Sequence, residues 1–432
     1  MSDFFGLDFG TSNSVLSVNI NGIVRVIDID KANISGPTMK TVIYFDDDDR
    51  RFYFGQEAVD AYIENDAFGR YVQSIKSFLP DKTFSSTSFG SKAYKLDEVV
   101  AIIFREIKSR GELDVGRRVD RVVIGRPVVF SEDPKADKLA EERLISAAKI
   151  AGFKEIYLQE EPIAAAVAYE KSSDLKGEKN ILVGDLGGGT SDFAIARVGM
   201  NNERVVISNE PSILAVSGVH IGGDDFDSLI MWEKLTRYFG RFTRLRTMDS
   251  IIRKTDERVD MSPMLYKKLC EWHQIPRLRT PKIMDQIKRC KYLADDHEKQ
   301  LIENLENLID DNYGYMLFRS IETAKQDLSM LENTRVIFKE RNLVIDEAMS
   351  RSEFEAIIAS KIDSVRSCVE EVILSAGVKR DQIDTVVLTG GSSHIPCVKS
   401  VFTRMFPGKE VVHKNAFTGV AYGLGCYGAF EI

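Results

Sequence analysis

Cysteine is scarce in this chain of 432 residues. Its five, Cys270, Cys290, Cys368, Cys397 and Cys426, are odd in number, unevenly spaced and absent from the first half. That argues against a disulfide framework, so reduced thiols in a core are expected. Long apolar runs are missing too. No stretch approaches the ~18 apolar residues of a membrane span, and the opening MSDFFGLDFG has neither the basic start nor the apolar run of a secretory signal. These absences predict a cytoplasmic protein with no membrane partner. An excess of positive charge is also lacking: the formal net charge is -8, which argues against nucleic acid as a partner. Cys270 with His273 and Cys290 with His297 could suggest zinc, but the second pair is too far apart and the helical context fits a metal site poorly.

What is present is an ordinary globular composition, 44% hydrophobic and 29% charged, long enough for two or three compact units. Two stretches echo each other: FFGLDFGTSNSVLSVNI at 4–20 and ILVGDLGGGTSDFAIA at 181–196. Each reads as an apolar strand ending at an Asp, a turn of Gly, Thr and Ser, and a second apolar strand, so each is a hairpin with a small polar tip. A third strand is expected after each, at 24–29 and 204–210, which makes the chain an internal duplication.

Strands then alternate with helices, as an α/β architecture requires. Residues 134–151 read as a helix capped by Asp133, with Pro134 first and Gly152 just past its end. EIYL and a helix opened by Pro162 follow. Later, Ser352 and Glu355 make a capping-box pattern before a helix whose Phe354, Ile358, Ile362, Val365, Val369 and Val372 recur at helical spacing, with Gly377 beyond it. The strand 385–389 and the turn GGSSHIP lead into another helix. Residues 232–320 show no strong strand pattern and read mostly as helix. From 232 to 292 they hold 16 Lys and Arg against 7 Asp and Glu, and the acidic stretch HEKQLIENLENLIDD follows. Two readings stand: oppositely charged helices that solvate each other, or a docking surface for a partner.

Three turns lack bulky side chains: GLDFGTSNS, GDLGGGTSD and TGGSS at 389–393. Consecutive amides in such turns form anion-binding concavities, and glycine lets the backbone approach phosphate. Hairpin tips from two duplicated halves could face each other, with Asp8 and Asp185 at matching positions. A carboxylate beside a core strand is costly unless it is paired. A hydrated divalent cation resolves the repulsion between two carboxylates while neutralising phosphate. Mg²⁺ with a nucleoside triphosphate fits that chemistry.

From residue 3 to about 428, the chain resembles the actin, sugar-kinase and heat-shock ATPase superfamily, and within it the ATPase domain of DnaK-type heat-shock chaperones. GLDFGTSNS resembles the first phosphate loop, GDLGGGTSDFAIA the second and LQEEPIAAAVAYE the connecting helix. HIGGDDFD, ETAKQDLS and TGGSSHIP look like the segments that hold phosphate, adenosine and ribose. The resemblance implies a two-lobed actin-like ATPase fold, with duplicated ribonuclease-H-like domains around a nucleotide cleft. Lobe I would span 1–178 and lobe II 179–409, with an enlarged helical insertion at about 232–320; 410–432 would return to lobe I.

It also implies roles. Asp8 and Asp185 would bind hydrated Mg²⁺, with Glu161 nearby. Gly10, Thr11, Ser12 and Asn13 would lie along the phosphates of ATP or ADP, opposite Gly187, Gly188, Gly189 and Thr190. Lys76 would steady the attacking water and γ-phosphate together with Thr190 and Asp192. Glu322, Lys325 and Ser329 resemble adenosine contacts, and Gly222, Gly223, Gly390, Gly391 and Ser392 would line the remaining pocket. Three positions depart from the family pattern. Gln326 and His394 stand where arginines usually flank the adenine, and Phe417 stands where the last ribose-side loop has an acidic residue. With its end at YGAFEI, the chain is expected to lack the peptide-binding domain, which resembles the short YegD-like subgroup.

The implied function is an ATP-binding, slowly ATP-hydrolysing chaperone-family switch whose lobes close on ATP and Mg²⁺. Client proteins or co-chaperone-like partners would read that motion, through the insertion or directly. The alternatives are a carbohydrate kinase on the same fold and a nucleotide-gated actin-like scaffold without turnover.

Overall fold

The computed structural model describes residues 3–34, 36–65, 68–84, 86–173, 175, 177–199, 213–271, 274–413 and 417–427. The expected strand at 204–210 and His273 lie outside these. The chain divides into two compact units, Met1–Gly223 with Lys361–Ile432, and Asp224–Ser360.

The first unit carries two sheets of the same plan. Strands β1 (Phe4–Phe9), β2 (Asn13–Ile20), β3 (Ile23–Ile27), β4 (Arg121–Arg126) and β5 (Glu155–Glu160) run in the order β5-β4-β1-β2-β3, with Met39–Lys40 pairing on β2. Strands β6 (Lys179–Leu186), β7 (Ser191–Val198), β8 (Ile213–Val219), β9 (Thr385–Thr389) and β10 (Glu410–His413) run β8-β7-β6-β9-β10. In both sheets the first strand is antiparallel to the second and parallel to the fourth. The duplication read from the two hairpins therefore extends through five strands of each sheet.

Side chains alternate across a strand, and that period decides where the carboxylates go. In β1, Phe5, Leu7 and Phe9 enter one core with Val99, Ile103 and Leu144, from the helices Leu96–Val115 and Pro134–Ile150. Phe4 enters a second core, which Ile181 and Val183 of β6 share with Ala164, Ala165 and Leu424. Asp8 falls on the face of Phe4, and Asp185 on the face of Ile181 and Val183. Each carboxylate thus ends an apolar stripe of that shared core. Its helices, Glu161–Ser172 and Gly419–Tyr427, cross at very close range: a Cβ on Gly423 would sit 1.8 Å from the Ala164 carbonyl oxygen. Only glycine permits that approach.

The expected helix ends hold at Pro134–Ile150, where the Asp133 side chain accepts from the Lys135 amide. The capping box of the Arg351–Ser375 helix is corrected: it is Ser350 with Glu353, not Ser352 with Glu355. Glu353 accepts from the Ser350 amide at 2.8 Å, and Ser350 Oγ accepts from the Glu353 amide at 3.2 Å. The helix starts directly after the strand Leu343–Ser350, which moves the cap two residues upstream. Ile362 in this helix is only half-buried.

The second unit is mainly helical, as expected, with corrections. It holds the hairpin Asn333–Glu340 with Leu343–Ser350 and a small one, Arg244–Arg246 with Arg258–Asp260, inside the segment that shows no strong strand pattern. Three-residue strands rich in charge have no apolar alternation to detect. Asp295 ties both together, to Arg246 at 3.1 Å and Arg258 at 2.6 Å. The Lys299–Asp310 helix buries Ile302, Leu305, Leu308 and Ile309. Lys291 of the Pro281–Leu293 helix bridges its Glu303 and Glu306 at 3.1 and 3.6 Å, so the basic and acidic helices do pair.

Candidate functional site

Each hairpin tip leaves backbone donors open. Gly187 N–H closes the second tip onto the Thr190 carbonyl at 2.9 Å, but the amides of Gly188 and Gly189 donate to no acceptor among the described residues. The same holds for Gly10, Thr11 and Ser12 in the first tip. The tips approach each other: a Cβ on Gly189 would come within 2.9 Å of Thr11 Oγ1. Asn13 opens β2 beside Lys40. Open amides on converging turns make an anion cradle.

Two further turns pack on the second tip. Gly222 lies so close that a Cβ would meet the Gly188 carbonyl at 2.3 Å, and Gly223 donates to the Gly187 carbonyl at 3.1 Å. Gly390 has φ +80°, and a Cβ there would meet Leu186 O at 2.2 Å and Asp185 Oδ1 at 2.9 Å. Ser392, two residues on past Gly391, donates to the Gly187 carbonyl at 3.0 Å.

Beneath the tips lies a buried charge cluster. Lys76 Nζ donates to Glu161 Oε1 at 2.6 Å, and both residues are more than nine-tenths buried. Glu161 opens the clamped Glu161–Ser172 helix, directly after β5. Lys76 sits in a single 3-10 turn after Ser74, whose φ of +52° is unusual for a residue with a Cβ. Arg143 holds the following loop, donating to the carbonyls of Phe78, Leu79, Asp81 and Phe84 at 2.7 to 3.2 Å. Asp192 pairs across the hairpin with Asp185 and accepts from the Val128 amide at 2.8 Å and from the Thr190 side chain.

Burial, reinforced by Glu161, pushes the Asp8 and Asp192 carboxyls up to about 7. Burial and then Glu161 and Asp8 push Asp185 well above the usual carboxylate range. Burial works against the Lys76 ammonium, but Glu161 and Asp8 outweigh it and hold the amine above its ordinary value. Asp8 and Asp185 have no hydrogen-bond or ion-pair partner among the described residues. One cation facing four carboxylates is a site short of positive charge. No three His, Cys, Asp or Glu side chains among the described residues converge closely enough to chelate a metal alone. Two unpartnered carboxylates beside open amides fit instead a Mg²⁺ that keeps its waters and shares phosphate oxygens.

His394 is exposed, and its ring stacks on His413 at 5.5 Å and on Phe417 at 6.1 Å. Glu322, Lys325, Gln326 and Ser329 belong to the second unit, on the Gly314–Asp327 helix and just past it. Lys325 donates to Asp227 at 2.7 Å, and Gln326 to Glu322 at 3.3 Å. Burial pushes Asp227 up to about 7 against the pull of Lys325. Asp227 and Arg143 escaped the sequence reading. The acidic run HIGGDDFD carried a signal for Asp227; nothing local marks Arg143.

Two sheets of one plan, with amide-rich tips set over a carboxylate cluster, make an α/β protein whose tips are suited to an anion. The family model described as Hsp70 protein matches residues 4–252 and 289–429, and the chain belongs to the Hsp70 family. Its architecture is the two-lobed actin-like ATPase fold of that family, whose members are chaperone-type ATPases that bind ATP or ADP with Mg²⁺. Residues 253–288 fall outside the match. No helix among the described residues is long and apolar enough to cross a membrane.

Proposed function

We propose that this protein is a cytoplasmic ATP-binding switch that hydrolyses ATP slowly and belongs with the short YegD-like relatives. Lobes 1–178 and 179–409, with 410–432 returning to the first, would close on ATP and Mg²⁺. Partner or client proteins would read the closure, with residues 232–320 as their docking surface. The observation that carries the reading is the buried Lys76–Glu161 pair, together with two unpartnered carboxylates under open backbone amides.

The tip amides of Gly10 to Ser12 and of Gly188 and Gly189 hold phosphate oxygens, with Thr190 beside them. Asp8 and Asp185 would hold the hydrated Mg²⁺, which when bound neutralises charge on the phosphates. Lys76 is the fixed cation for the γ-phosphate, kept protonated by Glu161. Asp192, anchored by the Val128 amide, orients the attacking water and accepts its proton, together with Thr190. Phosphoryl transfer needs mainly such positioning and charge stabilisation. Glu322, Lys325, Gln326 and Ser329, with His394 and the Gly390–Ser392 turn, serve the nucleoside.

Single-turnover hydrolysis with Mg²⁺, after calorimetry has confirmed binding, tests the reading. A slow wild-type rate that falls ~100-fold or more in Lys76→Ala supports it. Tight binding without turnover in either protein favours the nucleotide-gated scaffold. Sugar-dependent ADP release would replace the switch with a carbohydrate kinase.

A further inference from the structure

The second unit carries a groove that the nucleotide chemistry does not use. Met248, Asp285, Lys288, Arg289, Tyr292 and Leu293 line a cavity of about 450 Å³. Four of these recur at i, i+3, i+4 and i+7 on the Pro281–Leu293 helix, so one helix face forms the groove wall. Ile287 is the only buried side chain of that helix, while Tyr292 is 71% exposed and Met248 56%.

The charges here are unlike those behind them. Lys291 is satisfied by Glu303 and Glu306, whereas Lys288 and Arg289 have no carboxylate within ion-pair distance among the described residues, and Asp285 on the same face has no cation within that distance. Lys254, Lys267, Lys268 and Lys282 are exposed nearby in sequence and equally unpaired. This is the stretch with 16 basic against 7 acidic residues, in a chain of net charge -8. Part of the groove falls in residues 253–288, which the family match leaves out.

We infer that this groove binds an acidic peptide segment of a partner protein, one that also carries a large apolar side chain. Unpaired cations steer and select carboxylates. Tyr292 and the adaptable Met248 offer an apolar seat, the usual form of a peptide anchor. A long polyanion fits less well, because the rest of the chain repels it while a short peptide meets only the local field. The inference deepens the partner-reading role proposed for the insertion and rests on it.

The test is fluorescence anisotropy on the full chain. The probes are a short Glu- and Asp-rich peptide with Phe and Leu, its Phe-to-Ser and Leu-to-Ser analogue, a Lys-rich analogue and a single-stranded oligonucleotide. The acidic apolar peptide should bind and weaken with added salt. Lys288→Glu with Arg289→Glu should cost about tenfold or more in affinity and Tyr292→Ala about threefold or more. Lys267→Glu with Lys268→Glu, the same charge change outside the groove, should leave binding unchanged. The inference is overturned if no acidic peptide binds, if the serine analogue binds equally well, if the control pair weakens binding as much, or if the oligonucleotide binds more tightly. Calorimetry with ATP on the same samples separates the two proposals: peptide binding without ATP binding would refute the switch and leave the groove standing.

Discussion

The Lys76 cluster and the Lys288 groove use the same residue types to opposite ends. Lys76 is 7% exposed and held by Glu161 at 2.6 Å. Lys288 and Arg289 stand on a helix that buries one side chain and have no ion-pair partner among the described residues. A buried charge is fixed by everything packed around it, and altering it disturbs the packing. An exposed charge can change at little structural cost, so its effect is read in binding alone. The difference predicts where a substitution shows first, in stability or in affinity.

The largest expected effect is at the clamped helices. Gly423→Ala puts a methyl group against the Ala164 carbonyl oxygen, on the helix that Glu161 opens. Overpacking of this kind should cost ~3 kcal/mol or more, which lowers the melting temperature by roughly 3–5 °C or abolishes soluble expression. Lys288→Ala with Arg289→Ala should stay within about 0.5 kcal/mol of wild type. Equal melting shifts in the two proteins would break the comparison.

Next comes Arg143, which touches no reacting group. Arg143→Ala strips four carbonyls of their donor and frees the loop behind Lys76. Hydrolysis in a single turnover should fall about tenfold while ATP affinity holds. A loss confined to affinity would show that the loop serves binding and not Lys76.

The pH dependence of stability separates the regions further. Asp8 and Asp192 are raised from 3.8 to about 7 in the folded protein. The unfolded chain therefore releases these protons first, and the stability they contribute is present below about 4 and lost as pH rises to about 7. Nucleotide-free protein should melt a few degrees lower at pH 8 than at pH 5.5, and Asp8→Asn should shrink that difference. The Lys288 and Arg289 variants should keep the wild-type difference.

Much of the first unit was legible because its signals are local. Apolar runs on either side of GLDFGTSNS and GDLGGGTSD mark both hairpins, and the strand 385–389 and the Asp133 cap are equally local signals. The cap at Ser350 was missed because two Ser-x-x-Glu patterns overlap, and only the end of the preceding strand chooses between them. The strands Arg244–Arg246 and Arg258–Asp260 depend on Asp295, dozens of residues away. Asp227 and Arg143 act through tertiary partners, Lys325 and four carbonyls, which no spacing rule brings together. Nothing local marks Lys76 as buried; the partner that makes its burial tolerable is Glu161, 85 residues on.

The smallest effect is expected at the rings of His413, His394 and Phe417, which stack at interplanar angles of 24° and 22° and end on a half-exposed phenyl face. If a nucleobase packs on that face, the contact is stacking without base-edge hydrogen bonds, and every base has a π face. Phe417→Ala should therefore weaken ATP binding about threefold to tenfold, and weaken GTP binding by the same factor, in calorimetry. His394→Ala should do less, because Phe417 retains the outer face. A tighter Kd in Phe417→Ala would mean that the phenyl ring obstructs the nucleotide, which would leave the glycine tips and the Lys76 cluster to hold ATP through its phosphates alone.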